Sequence, residues 1–138
     1  NALEYTDAAG ASTIEDLPVT SSSIAAGADG NVDITNGYKV YTLFKIKTSV
    51  ASWVRVYCDA AKRTADASRS LGNDPLPGSG VIAEVLTSTE NEEVLITPGI
   101  MGFNNDNPRV NKIYLAINNR TGSATAVTVT LTVLKIGE

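Results

Sequence analysis

Histidine is absent from the 138 residues, which removes the imidazole general base, the histidine-containing hydrolytic triad and most zinc sites. Thiol chemistry would fall to Cys58, the single cysteine, but alternation in Val54-Arg55-Val56-Tyr57-Cys58 puts it on one face with Val54 and Val56. That placement reads as a buried structural thiol. Carboxylate pairs are the remaining acid–base option, with Asp59, Asp66 and Glu84 near strand ends or loops; a two-carboxylate glycosidase built on Asp66 or Glu84 is the enzyme reading. Solvated or capping carboxylates are the plainer account, and the chain is expected not to be an enzyme. Glu90-Asn91-Glu92-Glu93 reads as an acidic turn. Asn104-Asn105-Asp106-Asn107 gathers four oxygen-bearing side chains but lacks the alternate spacing and later bidentate Glu of a calcium loop, so turn chemistry explains it. No phosphate-binding loop, dinucleotide fingerprint or nucleophile elbow occurs, and no cofactor is called for. The sequon Asn119-Arg120-Thr121 is a short pattern that arises readily by chance. Arg55, Arg63, Arg69 and Lys62 gather near Trp53 and Tyr57; they suit an anion or a stacked sugar, and still better the acidic groups of the same chain or a neighbour.

The elements that would carry these groups are strands. Val, Ile and Thr contribute 13, 10 and 15 residues, concentrated in short runs between Gly, Asn, Asp, Ser and Pro. In the run 38–48, Val40, Phe44 and Ile46 are expected on the core face and Lys39, Lys45 and Lys47 on the wet one. Asn36-Gly37 suits a type I′ turn, so 32–35 is expected to pair with this run as a hairpin. Further strands are read at 53–58, 81–87, 93–97 and 112–118, the last with Ile113, Leu115 and Ile117 inward. In 125–135, Val127, Val129, Leu131 and Val133 face in, while Thr128, Thr130 and Thr132 face water or a partner. About seven or eight evenly spaced strands predict an all-β fold, an antiparallel sandwich of jelly-roll-like type. Residues 59–70 offer a turn of helix capped by Asp59, or an ordered loop.

Long loops are expected at 69–80 and 98–108, and such loops are commonly functional or interfacial. Residues 1–30, with one candidate strand at 16–20, hold little core material and are expected to form an extended arm preceding a sandwich domain at 31–138. The net charge of −4 disfavours nucleic acid, and no apolar stretch approaches the roughly 18–20 residues that cross a bilayer. A soluble single domain without a membrane or nucleic-acid partner is the expectation.

The segment from Trp53 to Arg69, followed by Asp74-Pro75-Leu76-Pro77-Gly78-Ser79-Gly80-Val81-Ile82-Ala83-Glu84-Val85, resembles small virion structural proteins of tailed bacteriophages of the cyanophage kind. Thr97-Pro98-Gly99-Ile100-Met101-Gly102-Phe103-Asn104-Asn105, Ile113-Tyr114-Leu115-Ala116 and the Thr/Val strand at the C-terminal end are similar to that group as well. The resemblance covers about two thirds of the chain, from Gly37 onward, and its segments are not catalytic motifs. It implies a capsid decoration or cement protein on the virion surface, assembled in the host cytoplasm. Its partners would be capsid or tail subunits, and its state a homotrimer or other symmetric homo-oligomer. Interface residues are expected at Asn73, Asp74, Pro75, Leu76, Pro77, Met101, Phe103, Asn104 and Asn105. The alternative it leaves open is a tail, baseplate or fibre component that binds a host carbohydrate through a platform of Trp53, Arg55 and Tyr57.

Overall fold

The computed structural model describes residues 13–137, in which eight strands build two four-stranded antiparallel sheets. The strands are β1 (Ile14–Thr20), β2 (Asp29–Ile34), β3 (Val40–Thr48), β4 (Ser52–Tyr57), β5 (Val81–Leu86), β6 (Glu92–Phe103), β7 (Ile113–Asn119) and β8 (Thr128–Gly137). A short helix α1 (Ala60–Ala65) follows β4. The sheet orders are β1-β8-β3-β6 and β2-β7-β4-β5. β1 pairs with β8, β2 with β7, β3 with β6 and β4 with β5, so the chain is one long nested hairpin wrapped into two layers. That is the jelly-roll arrangement, and it gives the expected sandwich its finer name.

The core lies between the inner faces. Leu43, Ile46, Leu131 and Val133 from one sheet meet Ile34, Val54, Val56, Leu115 and Ile117 from the other, all at most 1% exposed. Each such burial contributes roughly 1.5–3 kcal/mol before conformational entropy opposes it. The alternation expected in β7 and β8 holds: Ile113, Leu115, Ile117, Val127, Val129, Leu131 and Val133 are all buried.

Four expectations need correction. In β3 the register steps between Leu43 and Lys45 against both neighbours, a bulge at Phe44. Tyr41 and Leu43 face in before it and Ile46 and Thr48 after it, so Val40 and Phe44 are not core residues. One inserted residue reverses a period-2 pattern. The Asn36-Gly37 hairpin does not form, because β2 pairs with β7 and β3 with β6 and β8. Residues 35–39 instead cross between sheets, with Gly37 N–H donating to Asn111 O at 3.0 Å. Distant strands bury more inner face than the local partner does, and that outweighs turn propensity.

The third correction concerns the arm at 1–30, of which 1–12 lie outside the described residues. From Ile14 onward the chain belongs to the sandwich: β1 pairs with β8 along its length, and Leu17 and Ile24 are in the core. A segment with little apolar content of its own is completed by the open edge of β8. Fourth, β6 runs through Phe103, which leaves only 104–108 of the expected 98–108 loop outside a strand, within the 104–112 connection to β7. The short helix is as read. Asp59 caps it by accepting from Lys62 N at 2.7 Å, and none of its residues is buried.

Candidate docking surface

The two outer faces of the sandwich are treated differently. Over β2-β7-β4-β5 lies a roof formed by residues 59–80, and every residue of β4 is buried although Trp53, Arg55 and Tyr57 point away from the core. The Arg55 guanidinium stacks 3.9 Å from the Trp53 ring centroid. Trp53 Nε1 donates to Glu84 at 2.9 Å, and the Tyr57 hydroxyl donates to Asp66 at 2.6 Å. Arg69 bridges Asp66 at 3.0 Å and Glu84 at 3.1 Å, and Arg63 reaches Asp33 at 2.7 Å and the Leu115 carbonyl at 3.0 Å. The carbohydrate platform of Trp53, Arg55 and Tyr57 is therefore corrected: all three side chains are buried beneath the roof, although Arg55 Nε has no hydrogen-bond partner there. The arginines pair within the chain, with Arg55 contacting Asp29 at 3.3 Å.

The network shifts Asp66 and Tyr57 in opposite directions. Burial pushes Asp66 up, but hydrogen bonds from Arg69 and Tyr57 outweigh it and hold the carboxyl below its ordinary value. Burial and the bond to Asp66 push Tyr57 up to about 12. Arg69 occupies the gap between Asp66 and Glu84 that a glycosidic oxygen or water would need. Burial and the neighbouring Asp59 raise the Cys58 thiol, the opposite of nucleophile activation. No group of three or more potential metal ligands occurs among the described residues.

The residues read as interface fall in separate places. Asn73, Asp74, Leu76 and Pro77 are exposed and Pro75 half-buried on the roof, beside a groove of about 510 Å³ that also touches Lys62 and Arg69. Asn105 is exposed at the end of the sandwich, where its N–H donates to Cys58 O and its side chain to Asp59. Asn104 is corrected: it is fully buried, donating to Lys112 O and Asp106 and accepting from the N–H groups of Asp106 and Val110. It pins the 104–112 connection and touches nothing outside. Asn119 of the sequon is likewise buried, its amide donating to Ile24 O and Ser123 O. Met101 and Phe103 lie on the outer face of the other sheet, so the fold sets them apart from the roof rather than joining the two segments.

Over that second outer face, β1-β8-β3-β6, no element lies among the described residues. Cross-strand register lines up Ile14, Leu134, Thr42 and Met101 in one row from edge to edge. Val40 and Phe103 form the next pair toward the end, with Ile136 beside them. Ile14 is 65% exposed, Met101 57%, Ile136 48% and Phe103 43%. The opposite half of the same face is polar: Thr132 donates to Asp16 at 2.6 Å, Thr20 and Thr128 share a 2.7 Å hydrogen bond, and Lys45 lies 3.6 Å from Glu93. Leu95, 67% exposed, sits at the boundary opposite Lys45. Exposed apolar side chains thus gather at one end of this face.

No protein-family model matches the chain. No curated protein matches it in sequence. Among solved structures it is similar to a de novo designed double-stranded beta-helix determined by solution NMR, with a TM-score of 0.35 and 8% identity over 86% of this chain and 97% of that one. The jelly-roll description rests on the strand order, not on that likeness.

Sequence reading picks out Met101 and Phe103 but misses Ile14, Leu95, Leu134 and Ile136. A signal is present for Leu134. Val133-Leu134 breaks the Val/Thr alternation of β8 with apolar residues of both parities, the mark of a strand covered on both faces.

Proposed function

We propose that this chain is a non-enzymatic structural protein of a tailed-phage virion, a decoration or cement protein that docks on the particle surface and stabilises it by added interface. The observation that carries the reading is the bare apolar end of the β1-β8-β3-β6 face, on a sandwich whose other face is closed by its own roof. The sequence resemblance from Gly37 onward supports the phage assignment. Jelly rolls serve in capsid domains as well as lectins, so the fold is compatible with the role without assigning it. Burying exposed apolar surface contributes about 25 cal/mol per Å², part of which is offset by lost freedom on docking, and many copies on a lattice multiply a modest gain.

The test is cryo-electron microscopy of particles incubated with the wild-type chain or with a Met101→Asp, Phe103→Asp double variant. Wild-type density on the particle surface, and at least a tenfold weaker occupancy of the variant at equal folded concentration, is the expected result. Equal occupancy would remove this face from the docking role, and absence of wild-type density would remove the virion reading itself.

A further inference from the structure

We infer that the occupant of the bare sheet face is a second copy of this chain, packed face to face about a two-fold axis that runs along the strands between β8 and β3. The inference rests on the reading of that face as an assembly surface and names the copy that covers it; the particle is then met by the dimer, and the Met101→Asp, Phe103→Asp variant loses occupancy because the dimer is lost. Three features of the face select a copy of itself.

The first is symmetry of the row. Ile14 and Met101 stand at its two edges with Leu134 and Thr42 between them. Rotation about an axis along the strands exchanges β1 with β6 and β8 with β3. Ile14 of one copy then meets Met101 of the other, and Leu134 meets Thr42, so the apolar end covers itself without a shift along the strands.

Charge is the second. The chain carries −4, yet the outward charges on this face are Asp16 and Glu93 against Lys45 and Lys47, which cancel. Two copies can approach here without the repulsion that the rest of their surface would impose. A face built for a strongly charged foreign subunit would carry a net sign of its own.

The third is size. Four strands spaced about 4.8 Å apart, with rises of about 3.4 Å per residue, give a face on the order of 600 Å² in outline before side-chain relief is added. A stable interface takes roughly 800 Å² from each partner, which the relief of exposed Ile, Met and Phe side chains brings within reach. Sheets stack in this way at about 10 Å, the spacing already used inside the sandwich.

Sedimentation equilibrium of the full chain, without particles, tests the inference. A dimer is expected at tens of micromolar, converted to monomer by Met101→Asp and separately by Thr42→Arg, with far-UV circular dichroism unchanged. Thr42 sits mid-row on a half-buried site, so its replacement probes the interior of the contact while Met101→Asp probes its edge. A monomer at all concentrations, an odd-numbered assembly, or a dimer that survives either folded variant would overturn it. Particle occupancy by a chain that stays monomeric would overturn the second-copy inference and leave the virion reading standing. A dimer that never occupies particles would do the reverse.

Discussion

Arg69 decides what the carboxylates under the roof can do. By donating to both Asp66 and Glu84 it turns two groups that read as an acid–base pair into the clamp that holds residues 59–80 against β4. The clamp has a pH signature. Asp66 is held below its ordinary 3.8, so its contribution to stability is complete above that value and is lost as pH falls through the depressed one. Asp66→Asn is expected to lower the urea midpoint at neutral pH, and the gap to wild type should close in acid, where both side chains are uncharged. Fluorescence of Trp53, the only tryptophan, follows both transitions. A gap that stays constant from neutral pH to below 3 would refute this role. The same scale shows why asparagines misled: Asn104 and Asn105 are adjacent and chemically alike, and only the closing of the 104–112 connection buries the first and leaves the second in water.

Among the elements, β3 and β6 show where pattern reading fails. β7 and β8 keep strict alternation and are correct from sequence, whereas the bulge at Phe44 reverses β3 midway, so one alternation read across it places Val40 and Phe44 wrongly while Lys45, Ile46 and Lys47 face as expected. The Tyr41 ring, turned inward by that register, lies against β6 at its register partner Gly102, where an added Cβ would stand 2.3 Å from ring atoms. Both the ring and the backbone it meets are fixed by neighbouring strands, so neither yields cheaply. Gly102→Ala is expected to cost about 1–3 kcal/mol in urea unfolding, the range for overpacking. Gly122→Ala is the control: nothing lies within 4 Å of its added Cβ, and its effect should stay within about 0.5 kcal/mol. Equal shifts for the two variants would mean that the Tyr41 contact is looser than the geometry requires.

At the scale of the whole molecule, the nested pairing joins β1 to β8 and β2 to β7, segments from opposite ends of the chain. Loop-closure entropy must be met before those contacts form, so refolding followed through Trp53 is expected in milliseconds to seconds. A submillisecond main phase would show that local hairpins lead instead. The same topology marks the boundary of what sequence reading reaches. Composition and alternation by themselves determined an all-β chain, the inward sets of β7 and β8, the capped turn of helix and the absence of histidine chemistry, because each depends on residue type and near neighbours alone. Tertiary structure decided that residues from Ile14 onward complete a sheet, that Asn36-Gly37 is a crossover, that Trp53 and Tyr57 are roofed, and that Ile14, Leu134, Thr42 and Met101 share one bare row. Those facts depend on which distant strand completes which edge, and inner-face burial across the whole chain sets that choice rather than any local preference.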